Sequence, residues 1–339
     1  MSPHRRKRPR SSAGSAGASR SGGGIGGGRR GPLRGEYPRD LVGYGKMPPD
    51  PKWPGGARLA LQIVMNYEEG GERSTLHGDA EAESYLQEVV GLPSLQGVRN
   101  LQVESMYEYG SRVGFWRLMR TFARYGIKIS VFAVAMALER HPEAAAAIVE
   151  AGHEVVSHGW RWIDYQFVSE KVEREHIRRA VESLTRVTGS RPLGWYTGRL
   201  SPNTRRLVVE EGGFLYDADA YNDDLPYWTL VSGKPHLVVP YTLDNNDMKF
   251  GLPGGFATGD EWLAHVRDAF DVLYAEGADR PKMMSLGLHM RLMGRPGRAA
   301  ALTRLLDYVE RHEHVWICRR IDIARHWIDR HPYRPGKTS

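Results

Sequence analysis

Two stretches of this chain end an apolar run with side chains that can move protons. Residues 59–70 read LALQIVMNYEEG and finish on the carboxylate pair Glu68 and Glu69. Residues 152–162 read GHEVVSHGWRW and present His158 directly after a short apolar run. Carboxylates and imidazoles are the usual general acids and bases of enzymes, so both stretches predict acid–base chemistry. We expect the two ends to face each other across one pocket.

Polar side chains also follow nearly all of the remaining apolar runs. These candidates are Asn66, Arg161, Trp162, Asp164, Tyr196, Arg199, Asp217, Asp219, Asp223, Asp224, Tyr241, Asp244, Asn245, Asp247, His289 and Arg291. Each of them alone is more typical of a structural or solvated residue. Their shared position indicates a common site, because α/β folds build their active sites at the carboxyl ends of parallel strands.

The elements that must position these residues alternate between strand and helix. Apolar runs predict strands at residues 58–65, 127–134, 154–156, 193–196, 214–216, 236–240, 282–289 and 315–318. Ser169 is predicted to cap one intervening helix, and Ser201 another with Pro202 at its first position. About eight alternating units in about 280 residues favour a deformed α/β barrel of seven to eight mostly parallel strands. Residues 73–111 lack clean periodicity and are predicted to be an inserted loop.

The composition suits one large globular domain. The chain has 339 residues, of which 41% are hydrophobic and 26% charged, enough to bury a sizeable core. No apolar run approaches the ~18 residues of a membrane span. The one cysteine, Cys318, excludes an internal disulfide and fits a reducing compartment.

The basic charge of the chain belongs to its first 35 residues. These hold nine Lys and Arg and no Asp or Glu, which leaves 38 of the 47 basic residues against 40 acidic ones in the rest. The remainder therefore gives no electrostatic reason to bind nucleic acid. We expect the Gly-, Ser- and Arg-rich tail, residues 1–35, to be disordered. An unstructured extension, a transit peptide and a basic arm for polyanions all fit its composition.

Composition also sets the other domain boundaries. Residues 36–57 are rich in Pro and Gly and predict an extended strap anchored by Tyr37, Tyr44 and Trp53. Residues 58–330 contain the alternating pattern and are expected to form a single catalytic domain. Residues 331–339 are expected to form a C-terminal tail.

From about residue 37 to residue 330 the chain resembles the polysaccharide deacetylase (NodB-homology) superfamily and, within it, the cofactor-independent allantoinases of bacterial purine breakdown. The phrases that carry this resemblance are YPRDLVGYG, NYEEGGE, GHEVVSHGWRWIDY, RPLGWYTGR, EEGGFLYDADAYNDDLPYW, PYTLDNNDM and LGLHMRLMGRPGR. They cover most of the chain, so the resemblance is specific. It implies a NodB-type deformed barrel that opens the hydantoin ring of allantoin to give allantoate.

The chain departs from the parent superfamily where that superfamily binds its metal. Deacetylases usually end the first strand in an Asp pair, base first and metal ligand second, and complete the site with two His four residues apart. Here the pair is Glu68 and Glu69, and the later positions are His158 and Trp162. Tryptophan cannot coordinate zinc, and Glu69 with His158 makes fewer ligands than a catalytic zinc site uses. We therefore expect no metal and no other cofactor.

The resemblance implies roles for individual residues. Glu68 is the expected general base, His289 the acid or its partner, and His158 the residue that orients water or stabilises charge. The expected substrate contacts are Asn66, Glu69, Arg161, Trp162, Tyr196, Arg199, Asp217, Asp219 and Arg291. Either Arg199 or Arg161 would supply positive charge near the oxyanion, while Trp162, Tyr196 and Trp195 could wall a flat ring or simply pack in the core. Asp217 and Asp219 fit ureido binding and loop support equally.

Two other functions stay open. A polysaccharide or peptidoglycan N-deacetylase would need the second metal-binding histidine that the chain lacks. A catalytically inactive binding member would fit the loss of a ligand at Trp162, but not the retention of Glu68, His158 and His289. The resemblance also implies a homotetramer that acts on allantoin or on a closely related cyclic ureide. From the single cysteine, the charge distribution and the apolar runs we expect a cytoplasmic protein with no nucleic-acid or membrane partner.

Overall fold

The computed structural model describes residues 38–335 and divides the chain into two units, Met1–Val42 and Gly43–Ser339. In the first unit residues 38–42 are exposed, and the backbone N–H of Val42 donates to Asp40 at 2.9 Å. The tail predicted to be disordered, residues 1–35, lies outside the described residues, as do residues 336–339 of the predicted C-terminal tail.

Within residues 43–335, nine strands form one curled sheet. They are β1 (Leu59–Tyr67), β2 (Ser130–Ala133), β3 (Glu154–Ser157), β4 (Gly194–Trp195), β5 (Tyr216–Asp217), β6 (Tyr227–Val231), β7 (Lys234–Val238), β8 (Lys282–His289) and β9 (Val315–Cys318). Their order is β6-β7-β5-β4-β3-β2-β1-β8, with β9 paired to the first half of β1. A parallel bridge between Asn246 and Gly287 brings the chain after β7 beside β8. The predicted deformed, mostly parallel α/β barrel is confirmed.

One strand pair is antiparallel, and its first member was not predicted. β6 and β7 form a hairpin whose tip, Ser232 and Gly233, has φ values of 50° and 77°. Positive φ at both central residues matches the twist of a tight hairpin. The run YWTLV before a Ser-Gly pair carries the strand and turn signal that identifies this hairpin.

Ten α-helices pack around the sheet within the described chain. They are α1 (Leu101–Tyr109), α2 (Phe115–Arg124), α3 (Ala135–Glu139), α4 (Pro142–Glu150), α5 (Glu170–Thr188), α6 (Thr204–Glu211), α7 (Gly259–Glu276), α8 (Met290–Met293), α9 (Pro296–Val309) and α10 (Arg320–Arg330). Short 3-10 turns lie at Pro54–Gly56, Thr75–His77, Tyr165–Phe167 and Asp247–Gly251. No helix between residues 38 and 335 is long and apolar enough to cross a membrane.

The two predicted helix caps behave differently. Ser169 caps α5 as expected, since its side chain accepts the backbone N–H of Val172. The Ser201 prediction was wrong, because α6 begins three residues later at Thr204. Ser201 instead donates its hydroxyl to the buried carboxylate of Glu173 at 2.6 Å.

The prediction of an inserted loop at residues 73–111 was wrong for its last third. There Asn100 caps α1, which runs into a π-helical turn, Gly110–Gly114, and on into α2. The helical pattern is weak because the first residue of α1, Leu101, is 64% exposed and the apolar positions do not form one stripe. Glycines at both ends of the π turn obscure the pattern further, since glycine disfavours helix interiors.

Two of the three expected strap anchors lie in the described chain. The Tyr44 hydroxyl donates to the Pro226 carbonyl at 2.5 Å, and the buried Trp53 donates its indole N–H to the Lys282 carbonyl at 2.9 Å. Tyr37 lies outside the described residues. The two contacts attach the segment before β1 to the start of β8 and to the β5–β6 connection.

Candidate active site

Three strand ends meet at the carboxyl edge of the sheet. Asn66 of β1 pairs with His289 of β8, and β2 lies between β1 and β3. Glu68 follows β1 and His158 follows β3, so parallel pairing brings both to the edge that His289 occupies. The residues gathered there, which we call the mouth cluster, are Glu68, Glu69, His158, Asp247, His289 and Arg291.

Glu68 is the centre of the mouth cluster. Its Oε1 lies 3.3 Å from His158 Nε2 and 3.5 Å from His289 Nε2, and its Oε2 lies 2.8 Å from an Arg291 nitrogen. All four side chains are buried. The predicted meeting of the first-strand carboxylate with both imidazoles is therefore present in the structure.

Arg291 supplies the positive charge of the cluster. Its guanidinium pairs with Glu68 and, at 3.3 Å, with Glu69, and its face lies 4.2 Å from the Tyr107 ring. Arg291 was expected only as a substrate contact, yet its contacts are with the two carboxylates. A guanidinium fork is suited to two carboxylate oxygens, because its donors lie in one plane.

Asp247 was one of the polar candidates after the apolar runs, but no catalytic or binding role was predicted for it. Its Oδ1 accepts from His289 Nδ1 at 2.6 Å, and its Oδ2 accepts the backbone N–H groups of His289 and Met293. Asp247 is fully buried and starts the 3-10 turn Asp247–Gly251. A carboxylate on Nδ1 fixes the ring so that Nε2 faces Glu68.

The electrostatics of the cluster favour charged forms. Burial opposes ionisation of Glu68, but the charges of His289 and Arg291 and the hydrogen bonds of both imidazoles hold its pKa well below the usual value. Burial likewise opposes the imidazolium of His289, but the charges of Glu68 and Asp247 raise its pKa to about 9. At neutral pH the site therefore pairs an ionised Glu68 with a protonated His289.

The pKa of Glu69 is shifted in the opposite direction to that of Glu68. Burial raises the pKa of Glu69, and the charge of Arg291 only partly opposes this effect. Its Oε2 accepts the backbone N–H of Glu68 at 3.0 Å, so it fixes the turn that carries its neighbour. Gly110 of the π turn lies against the Glu69 carboxyl so closely that any side chain there would collide with it.

The two ring nitrogens of His158 have different surroundings. Its ring lies 4.8 Å from Tyr196 and 6.1 Å from Phe132, and Nε2 faces Glu68. Nδ1 is buried without a hydrogen-bond partner among the described residues. If Nε2–H donates to Glu68, Nδ1 is left as a free acceptor.

The faces of Trp162 are already occupied. The guanidinium of Arg199 lies 3.9 Å from its ring centroid, that of Arg291 5.2 Å, and Tyr85 stacks at 6.1 Å. Arg199 also pairs with Glu83 at 3.4 Å. On this side of the site the rings of Tyr85 and Trp162 therefore pack together with the guanidinium groups of Arg199 and Arg291.

The remaining predicted contacts are held by partners outside the mouth cluster. Arg161 is held on Asp79 at 2.9 Å, and Asp217 binds Arg205 and His236. Asp219 accepts backbone N–H groups from the loop after β4, and Asn66 donates to Tyr241 and to the Leu288 carbonyl. Trp195 donates to Thr197 and packs in the core. The contacts of Asp217 and Asp219 are those of loop-supporting residues.

The mouth cluster does not fit the zinc site of metal-dependent deacetylases. Among residues 38–335 no group of three or more His, Cys, Asp or Glu side chains is placed to hold a metal ion. The indole of Trp162 offers no ligand atom, and the Arg291 cation already pairs with both carboxylates. Glu69 and His158 therefore lack the third protein ligand of a deacetylase zinc site, and the carboxylate charge is already paired with Arg291.

Comparison with known proteins places this geometry in a family. The polysaccharide deacetylase family model matches residues 99–212. A putative polysaccharide deacetylase of Schizosaccharomyces pombe is 43% identical over 315 residues, which is 87% of this chain and 98% of that relative. The chain belongs to the polysaccharide deacetylase family. The family match explains the curled parallel sheet, and the mouth cluster lies where that sheet presents its strand ends.

Two solved structures are similar to the chain over 88% of its length. The crystal structure of PuuE allantoinase is 61% identical, with a TM-score of 0.87, and covers 88% of this chain and all of that one. A probable polysaccharide deacetylase from Pseudomonas aeruginosa PAO1 is 59% identical, with a TM-score of 0.86 and the same coverage. The chain is therefore a hydrolase of this family. One of these two similar proteins is named an allantoinase and the other a probable polysaccharide deacetylase.

Proposed function

We propose that this protein opens the hydantoin ring of allantoin to give allantoate, without a metal ion. The observation that carries the proposal is the Arg291 guanidinium on Glu68 and Glu69, where a metal-dependent relative would need a cation. The likeness to PuuE allantoinase, over the whole of that chain, supports the substrate. A side-chain cation can stabilise developing negative charge in a buried site as a metal would.

In the proposed reaction, Glu68 accepts a proton from a water molecule as the water oxygen attacks the amide carbonyl carbon of the ring. The ring C–N bond then breaks, and the leaving nitrogen takes the Nε2 proton of His289. The proton on Glu68 returns to His289, 3.5 Å away, and the products are a carboxylate and a new ureido group. One water is consumed, and the carboxylic acid formed loses its proton to solvent.

The low pKa of Glu68 determines how the proposed site works. A carboxylate with a low pKa is a weak base, and general bases are most efficient when their pKa is near the working pH. Activation of water therefore depends on orientation by Glu68 and His158 and on the charges of Arg291 and His289 around the oxyanion.

The decisive experiment measures allantoate release from allantoin by the full-length purified chain, with the Glu68→Gln variant as the matched background. Turnover by wild type and its loss in the variant would support the proposal. A second measurement follows prolonged incubation with a chelator, after which we expect full activity. Loss on chelation and restoration by zinc would overturn the metal-free mechanism.

A second candidate is N-deacetylation of a polysaccharide. It is favoured by the names of two similar proteins, from Pseudomonas aeruginosa and Schizosaccharomyces pombe. Release of acetate from an N-acetylated oligosaccharide, with none of allantoate from allantoin, would select it. Failure of both assays with a folded protein would select an inactive binding member.

We further propose that the protein acts in the cytoplasm as a homotetramer. Support comes from the resemblance to allantoinases and from the single buried cysteine, Cys318, which fits a reducing compartment. Light scattering of the purified chain during gel filtration measures the assembly, and a mass of one or two chains would reject it.

A further inference from the structure

Within residues 83–89, Leu86 contacts Arg291 and has an unusual backbone conformation. Leu86 has φ of 51°, in the left-handed region that non-glycine residues seldom adopt. Three other non-glycine residues between 38 and 335 share positive φ: Lys52, Ser232 and His314. Those three are exposed, whereas Leu86 is 3% exposed. Leu86 is thus held in this conformation inside the protein.

The backbone carbonyl of Leu86 points at the mouth cluster. Its carbonyl oxygen accepts from Arg291 Nε at 2.8 Å. The other two nitrogens of the same guanidinium face Glu68 and Glu69. The carbonyl therefore accepts from the third nitrogen of the planar group and limits rotation of the guanidinium.

The surrounding residues hold the turn from both sides. Glu83 accepts the backbone N–H groups of Ser84 and Tyr85, and Gln87 bonds the backbone of Val89. On the other side Gly251 packs closely against Leu86. A Cβ atom added to Gly251 would lie only 3.0 Å from the Leu86 Cα. Backbone strain persists only where its surroundings impose it, and such residues concentrate at active sites.

We propose that Leu86 is a positioning residue, whose left-handed backbone aims its carbonyl at Arg291 and thereby sets the guanidinium against Glu68. The inference rests on the proposed function for its effect on turnover, but its geometric part does not. Because Gly251 ends the turn that begins at Asp247, the same packing joins the support of Arg291 to the support of His289.

Two substitutions separate the backbone from the side chain of Leu86. Leu86→Val keeps an apolar side chain, but a β-branched residue strongly disfavours positive φ. Leu86→Gly removes the packing and accepts positive φ without strain. Leu86→Met is the matched control, since it keeps both the volume and an unbranched Cβ.

For Leu86→Val we expect kcat to fall about 10-fold to 100-fold with a smaller change in KM, because misplacing a charged group affects the transition state most. For Leu86→Gly we expect lower thermal stability but kcat within about 3-fold of wild type, and Leu86→Met should match wild type in both. Wild-type kcat in a folded Leu86→Val protein would overturn the proposal, as would equal losses in the valine and glycine variants.

A measurement without substrate separates this inference from the proposed function. In ¹⁵N-labelled protein the Arg291 Nε–H signal, identified by its loss in Arg291→Lys, should exchange slowly in wild type and in Leu86→Gly. It should exchange faster in Leu86→Val. If that pattern holds while allantoin is not hydrolysed, the proposed function fails and the positioning role stands. Equal exchange in all three proteins rejects the positioning role, whatever the substrate.

Discussion

Two clusters of buried charged side chains lie against the same sheet, and they offset the free-energy cost of burial in different ways. In the mouth cluster the carboxylate of Glu68 pairs with a guanidinium and two imidazoles. Deeper in the sheet is an interior cluster, formed by Gln62, Ser130, Glu154, Tyr216, Ser285 and Arg320. All members of both clusters are buried.

The interior cluster satisfies its charges with neutral partners. Glu154 accepts from Ser130 Oγ at 2.6 Å, from Tyr216 Oη at 2.7 Å and from a backbone N–H at 2.9 Å. Arg320 donates to Gln62 at 2.7 Å, to Ser285 at 3.0 Å and to two backbone carbonyls. The charged ends of Glu154 and Arg320 thus bind neutral groups.

The difference appears in the direction of the pKa shifts. Burial raises the pKa of Glu154 and lowers that of Arg320, since neutral partners only partly offset it. In the mouth cluster burial acts the same way, yet the pKa of Glu68 is lowered and that of Arg291 raised by opposite charges. Burial with neutral partners thus serves folding, whereas paired charges maintain ionised groups that can do chemistry.

Among the tests of this contrast, we expect the largest effect from Glu68→Gln. We expect kcat/KM for allantoin to fall by about 10²- to 10⁴-fold, the usual contribution of a positioned base. Glu154→Gln is the control in the interior cluster and should leave kcat/KM of the folded protein unchanged. Steady-state kinetics on both variants, with circular dichroism to confirm folding, make the comparison. Turnover above a few per cent in Glu68→Gln would remove Glu68 from its proposed role.

Replacing the two buried arginines should give different losses. Arg291→Met should lower kcat by about 10²- to 10³-fold, as for loss of one oxyanion-stabilising group. Arg320→Met should lower the free energy of unfolding by about 1–3 kcal/mol, because buried carbonyls lose their donor. Denaturant unfolding and kcat measured on both variants test this. A loss of kcat in folded Arg320→Met as large as in Arg291→Met would erase the distinction between the clusters.

The third prediction uses the titration of His289. If protonated His289 is the acid, kcat/KM should fall as pH rises through about 9, where its imidazole loses the proton. Asp247→Asn removes one of the charges that raise this pKa, so the alkaline limb should move to lower pH. We expect about a 10-fold loss near pH 8 with a smaller loss near pH 6. An unmoved alkaline limb would exclude His289 as the titrating acid.

The smallest effect concerns the pH dependence of stability. Because the folded-state pKa of Glu154 is raised, its contribution is present below the unfolded pKa and is lost as pH rises through the folded value. Glu154→Gln has no such titration. The unfolding free energy of the variant relative to wild type should therefore increase as pH rises above about 4.3, the ordinary glutamate value. Denaturant unfolding across this range checks the trend, and a pH-independent difference would contradict it.

Much of the fold could be predicted because its signals are local. β8 and β9 match their predicted residues, and β1 and β3 differ from theirs by no more than two residues at either end. Apolar runs mark such strands, and β1 is the clearest case because its side chains are buried on both faces. The helix Leu101–Tyr109 and the hairpin strand Tyr227–Val231 were missed, the first because its exposed and glycine-flanked residues carry no clear period.

Single residue identities also determined part of the site. Trp162 in place of a metal-binding histidine, and Glu68 beside Glu69, are properties of the sequence that need no coordinates. They predict a site without zinc and a carboxylate at the first strand end. The register of parallel strands then brings Glu68, His158 and His289 together, as expected from their shared position after apolar runs.

Only the tertiary structure decided which charges meet. Arg291 reaches Glu68 across 223 positions of sequence, and Asp247 reaches His289 across 42. By contrast, Arg161 is held by Asp79 and Arg199 by Trp162 and Glu83. The chain contains many arginines and aspartates of the same charge, so distance and burial decide which of them pair strongly. Those two quantities exist only once the strands and loops have packed.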